Sequence, residues 1–154
     1  MTVEIIPFHA GHVAAWERLN LAWLEEGGFI VEAKDRKVLA DPQGSILDKG
    51  GRIFMAERDG EVIACCAPMA MADGGFEVAK MTVTPAARGL GLSRRLLETC
   101  EAAARAAGAP RLYLETSSTL IPAGRLYRSF GFIDLPPRPT PYARADVFME
   151  KVLD

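Results

Sequence analysis

Apolar residues recur at helical spacing through Leu92, Leu96, Leu97, Cys100, Ala103, Ala104 and Ala107, while Arg94, Arg95, Glu98, Glu101 and Arg105 fall on the other face. The spacing predicts an amphipathic helix from Leu92 to Ala107, ended by Gly108 with Pro110 beyond. Just upstream the period changes: Phe76 to Thr84 reads as a strand closed by Pro85, whose alternation places Glu77, Ala79, Met81 and Val83 on one face. The chain opens with a strand near Thr2 to Pro7, a helix from about Gly11 to Glu25 ended by Gly27-Gly28, and a shorter helix from Val31 to Ala40 stopped by Asp41-Pro42. Gly44 to Gly51 reads as a loop with room for one turn. Arg52 to Arg58 and Glu61 to Met71 flank Asp59-Gly60, a dipeptide suited to a type I′ hairpin, and Ala72 to Gly75 makes the next reversal. Later come a strand at Leu112 to Thr116, a short helix carrying Tyr127 and stopped by Gly131, and strands near Phe132 to Leu135 and Asp146 to Val152. The order is β-α-α-β-β-β-α-β-α-β-β. The chain shows neither repeat nor linker, and residues 1–154 are expected to form one domain.

The join between the Phe76 strand and the Leu92 helix carries the clearest chemistry. In Arg88-Gly89-Leu90-Gly91-Leu92-Ser93-Arg94, glycines allow a sharp turn and close approach to a ligand. The first helical amides lack intrahelical acceptors at the positive end of the macrodipole, which suits a phosphate. No Gly-Lys-Ser/Thr follows, so a nucleotide triphosphatase is unsupported. A dinucleotide fingerprint requires a third glycine where Arg94 stands.

The loop resembles the acetyl-coenzyme A signature of the GNAT superfamily of N-acetyltransferases, Gln/Arg-x-x-Gly-x-Gly/Ala. Here it reads Arg88-x-x-Gly91-x-Ser93, with serine at the last small position. The lead-in Val83 to Gly89 is similar to the family's own, and Ala123-Gly124-Arg125-Leu126-Tyr127-Arg128-Ser129-Phe130-Gly131-Phe132 resembles its second recurrent motif. The likeness runs from about Arg52 to Asp154. It implies an α/β (α+β) GNAT fold: a mixed, mostly antiparallel sheet of about seven strands flanked by about four helices, splayed between the fourth and fifth strands. It also implies acetyl-CoA as cosubstrate, without a metal, and an N-acetyltransferase acting on an amine acceptor.

By the same resemblance, Met81, Thr82 and Val83 would meet the thioester and pantetheine, and Arg88, Gly89, Leu90, Gly91, Leu92, Ser93 and Arg94 the pyrophosphate. Tyr127 matches the family tyrosine that protonates the leaving thiolate. Glu77 stands where some members carry a base. Glu115 is a second carboxylate beside Thr116, Ser117 and Ser118, hydroxyls that suit either pantetheine contacts or a helix cap. The acceptor side offers Trp23, Phe29, Glu32 and Tyr142, with Glu26, Asp35, Arg138 and Arg144 nearby, a mixture that hints at an amine bearing an acid group. A small metabolite or xenobiotic is the favoured acceptor; a protein lysine or N-terminus is the near alternative. A non-catalytic acyl-CoA sensor is the alternative of another class.

The formal charge of −2 offers no broad positive field, so nucleic acid is not an expected partner. Cys65, Cys66 and Cys100 lack metal-ligand spacing and read as buried thiols. His9 and His12 have no acidic partner at triad-like spacing and read as surface residues. No signal sequence or membrane-length apolar run is evident, so the expected setting is cytoplasmic, with no membrane partner. A homodimer is compatible with the family.

Overall fold

The computed structural model describes residues 2–154. Its strands are β1 (Val3–Pro7), β2 (Phe54–Arg58), β3 (Glu61–Ala70), β4 (Phe76–Val83), β5 (Arg111–Thr116), β6 (Ile133–Leu135) and β7 (Val147–Val152). The α-helices are α1 (Val13–Glu26), α2 (Ala33–Ala40), α3 (Leu92–Ala106) and α4 (Ile121–Ser129). One sheet runs β1-β2-β3-β4-β5-β7-β6, antiparallel at every step except the parallel β4–β5 pair. Asp59 and Gly60 both take positive φ, 53° and 79°, as the expected hairpin turn requires. Within the loop expected to hold one turn, Gln43–Leu47 winds into a short π-helical turn that buries Ile46. Among the described residues no helix is long and apolar enough to cross a membrane.

Each face of the sheet has its own core. On one side Leu92, Leu96, Leu97, Cys100 and Ala104 of α3 pack on Ala64, Cys66, Val78 and Leu112, joined by Leu126 and Tyr127 of α4. On the other, Trp16 and Leu19 of α1 and Val38 and Leu39 of α2 pack on Met55, Val62, Cys65 and Ala67. The three cysteines are free and buried, as their apolar surroundings suggested.

His9 is exposed, as expected, but His12 is not. His12 is 3% exposed, stacks on His9 with ring centroids 3.7 Å apart, and places Nε2 2.8 Å from a Glu57 oxygen. Nδ1 of His12 accepts from the His9 amide and Nδ1 of His9 from the Gly11 amide, so both rings cap the turn leading into α1. The partner was hidden because it lies on β2, far away in sequence.

Strict alternation along β4 also fails, and this shapes the whole site. The β3–β4 register shifts between Cys65 and Ala67, giving β4 one extra residue, and Lys80 there takes φ 54°. Phe76 and Val78 belong to the α3-side core, but so does Val83, with Met81 packed against it. Parity has therefore reversed across the bulge. Glu77 does not share a face with Met81 and Val83; it points with Lys80 towards α1 and α2.

A left-handed lysine inside a strand is strained by roughly 1–3 kcal/mol and persists only where its surroundings fix it. The Lys80 ammonium donates to Asp35 Oδ1 of α2 at 2.7 Å and to the Tyr142 hydroxyl at 3.3 Å. Arg144 closes the cluster, donating to both Asp35 oxygens at 2.8 Å. Asp35 is fully buried. Burial alone would raise its carboxyl, but hydrogen bonds from Arg144, Lys80 and the Glu32 amide outweigh it and hold Asp35 well below the usual carboxylate range.

Removing the carboxylate strands two cations. Asp35→Ala is expected to lose about 3–5 kcal/mol in urea unfolding at neutral pH. Because the folded pKa is depressed, this contribution is complete above the ordinary Asp pKa of about 3.9 and fades as pH falls below it. The gap between wild type and variant should therefore narrow in acid; a constant gap would show that packing, not charge, is what was lost.

Candidate active site

The parallel β4–β5 pair is short: Phe76 pairs with Leu112 and Glu77 with Tyr113, and pairing ends there. β5 continues against β7 through Thr116, while β4 continues against β3 to Val83. The two strands diverge, and a cavity of about 550 Å³ opens between them. Val83, Ser93, Leu126 and Tyr127 reach it from the α3–α4 side, and Asn20, Trp23, Lys34, Glu77 and Tyr142 from the α1–α2 side. The fissure thus connects the two faces of the sheet.

Gly91, the N-cap of α3, has φ 74° and no side-chain cap, and Gly89 has φ 82°. A Cβ at either position would meet nothing within 4 Å, so backbone conformation, not crowding, favours glycine there. The first-turn amides of a 15-residue helix are left for a ligand, with no acidic residue among them. Leu92 can offer only its amide, because its side chain is 2% exposed in the core. Leu90 is exposed at the tip of the loop. Arg88 donates to Val83 O at 3.3 Å and makes a two-point contact with the Glu26 carboxylate, one leg 2.8 Å, at the end of α1. Arg94 donates to Ser129 Oγ at 2.7 Å and lies over the Phe130 ring, joining α3 to α4.

Tyr127 lines the cavity edge-on to Phe132, and its hydroxyl makes no hydrogen bond to a described residue. Burial, with a smaller push from Cys66, raises its pKa, so the phenol is neutral and holds its proton. Glu77 is half-buried and also without a hydrogen-bond partner among the described residues. Burial and then the like charge of Glu115 raise its pKa, against the opposing pull of Lys34 and Lys80. Glu115 is fixed instead, accepting from Tyr113 at 2.9 Å and from Thr140 at 2.6 Å. One carboxylate is anchored and its neighbour is free. Ser117 bonds to Thr119 and Ser118 to Asp146, so these hydroxyls brace the strand end; α4 begins with no side-chain cap.

Of the acceptor-side residues, Trp23 and Tyr142 line the cavity. Phe29 and Glu32 stand behind them. Phe29 packs on Trp23 at 5.4 Å, and Glu32 accepts from the Ala143 amide at 3.1 Å and Arg144 at 3.4 Å. Arg138 lies over Tyr113 and Phe148, away from the cavity lining. Thr82 is buried on the cavity floor. Lys80 and Lys34 are the charged lining residues that the sequence did not single out. A lysine in the middle of a mostly apolar strand was the available signal for the first; nothing local marks the second.

The model of the acetyltransferase (GNAT) family matches residues 11–132. The chain is 43% identical over 107 residues to an IAA acetyltransferase of Azospirillum brasilense, covering 66% of this chain and 68% of that one. It is 33% identical over 140 residues to an amino-acid acetyltransferase of Azotobacter vinelandii, where it covers 86% of itself but spans only 31% of that longer protein. In three dimensions it is similar to a PaiA N-acetyltransferase of Thermoplasma acidophilum solved with coenzyme A, with a TM-score of 0.81 and 15% identity over 99% of this chain and 100% of that one. With the open sheet, the splay after Glu77 and the glycine loop already in place, the family match identifies the chain as a member of the GNAT family of acetyltransferases.

Proposed function

We propose that the chain moves the acetyl group of acetyl-CoA to the primary amine of a small metabolite by direct attack in a ternary complex. The observation that supports this most strongly is the juxtaposition of an uncapped α3 amino end, a free neutral Tyr127 and an unpaired Glu77 around one fissure. Phosphate oxygens of the cosubstrate suit the amides of Gly89 to Arg94, and the pantetheine arm suits the edge of β4 that β5 has left, where it would add as a strand does. The Met81 amide then serves as donor to the thioester carbonyl, which becomes more negative as attack proceeds.

Glu77 accepts the proton that the acceptor ammonium must lose, directly or through one water. The freed nitrogen bonds to the carbonyl carbon, the C–S bond breaks, and Tyr127 gives its proton to the departing sulfur. The second proton, made acidic on the nitrogen once the C–N bond has formed, passes through water to the Tyr127 phenolate, leaving an N-acetyl amide, free thiol and a regenerated phenol. Trp23, Tyr142 and the Arg144 clamp close the acceptor side into a pocket, which favours a small amine over a protein segment.

Three variants test the assignment. Tyr127→Phe should bind coenzyme A by calorimetry within about twofold of wild type yet lose roughly 10²–10⁴-fold in kcat; unchanged thiol release would remove Tyr127 from the chemistry. For Glu77 the sign is set by its raised pKa: the base must be deprotonated, so the acidic limb of kcat/KM should lie above the ordinary Glu range and disappear in Glu77→Gln. Persistence of that limb would assign it to another group. Gly91→Ala forces a Cβ onto a left-handed backbone, at a cost of about 1–2 kcal/mol, and should weaken coenzyme A binding about tenfold or more. Unaltered affinity would place the pyrophosphate elsewhere.

A further inference from the structure

The β4 bulge places Glu77 and Lys80, three residues apart, on the same face of one strand, where regular alternation would have opposed them. One carries a carboxylate without a hydrogen-bond partner and the other a largely buried ammonium, and both line the cavity. The acceptor side thus carries both signs, Glu77 and Glu115 lining the same cavity as Lys34 and Lys80.

Pairing decides which cations remain available. Lys80 and Arg144 are balanced by Asp35 and Glu32, with contacts of 2.7 to 3.4 Å. Yet Lys80 has three donors and uses two, on Asp35 and Tyr142. Lys34 has no acidic partner within salt-bridge distance among the described residues; its ammonium lies 5.8 Å from the Tyr142 ring centre, and that of Lys80 5.0 Å from the same centre. Two ammonium groups therefore converge on one ring, with N–H capacity that the protein does not fill.

We infer that the acceptor is a zwitterion of the α-amino-acid type, its ammonium between Glu77 and Glu115 and its carboxylate on Lys34 and the third hydrogen of Lys80. The inference rests on the acetyl-transfer reading above and specifies its acceptor. A carboxylate held between the largely buried Lys80 ammonium and the exposed Lys34 at the cavity rim gains charge-assisted hydrogen bonds that an amine without the acid group cannot make. A plain amine or polyamine instead brings only positive charge to the two lysines, which repel it. Lys34 acts here as a specificity residue: it touches the acceptor's acid group and not the reacting atoms.

The test compares matched pairs, each α-amino acid with the amine left when its carboxyl group is removed, for example leucine with isopentylamine and phenylalanine with phenethylamine. Thiol release from acetyl-CoA is followed alongside calorimetric binding of each compound to the enzyme–coenzyme A complex. Wild type should prefer the amino acid by about a hundredfold in kcat/KM for at least one pair. Lys34→Met should reduce that ratio about tenfold through KM for the amino acid, and Lys34→Arg should restore much of it. A merely structural role for Lys34 would lower both members of a pair together and leave the ratio intact.

Turnover in which decarboxylated amines or polyamines match or exceed the amino acids overturns the inference while leaving acetyl transfer standing. Carboxylate-dependent binding that Lys34→Met weakens, without thiol release from any compound, supports the subsite and overturns the catalytic reading. Absence of both binding and turnover for every amino acid tested overturns the inference.

Discussion

One extra residue in β4 is the constraint on which the site depends. At Lys80 the chain takes a left-handed conformation, the ladder to β3 shifts by one, and every later side chain on the strand changes face. Before the shift, Glu77 points towards α1 and α2; after it, Met81 and Val83 point towards α3. A regular strand cannot present a carboxylate to one compartment and then apolar cover to the other from residues of the same parity. β4 also loses β5 just upstream, after Glu77, so the same short stretch leaves a strand edge available and redirects its side chains.

The two faces of the sheet thereby acquire different work. On the α3–α4 side the groups suited to the donor are mostly backbone: amides of a loop shaped by two left-handed glycines, the free edge of β4, and one phenol. Backbone donors read shape and charge but little chemical identity, as a site for an invariant pyrophosphate and pantetheine requires. On the α1–α2 side the groups are side chains from α2, β4, β5 and the segment before β7, and these can differ from protein to protein without touching the donor half. On the proposed reading, this division would let the architecture persist while the lining of the acceptor side changes.

Much of the fold was legible from period alone. α3 alternates apolar and charged faces along its whole length, Asp59-Gly60 fixes the β2–β3 turn, and the glycine loop announces itself by composition. The bulge was not legible, because a lysine at positive φ has no local signature; its conformation is set by Asp35, 45 residues earlier, and the alternation rule carried Glu77 to the wrong face. The same distance hid the Glu57 partner of His12, also 45 residues away, and left Phe29 and Glu32 behind the cavity lining instead of in it. Residue types showed which groups carry chemistry; tertiary pairing decided which of them are free to use it. Glu77 and Glu115 illustrate this, two like side chains on neighbouring strands, one held by Tyr113 and Thr140 and one left unpartnered.

The ion cluster behind the bulge calls for a reason beyond stability. Three well-packed apolar side chains of similar volume would hold α2, β4 and the Tyr142 segment together at least as firmly, since transferring three charges out of water costs about as much as their attraction returns. Apolar packing would not, however, keep an ammonium at the cavity wall with a hydrogen to spare. Nor would it oppose the rise that burial and Glu115 impose on Glu77, an opposition to which Lys80 contributes. Asp35 makes a cation tolerable in a desolvated place without consuming all of its donors, and the strain at Lys80 is the geometric condition for putting that cation on the same face as Glu77. On the proposed reading, the cluster supports an acceptor wall that carries both charges, with the bulge as its mounting.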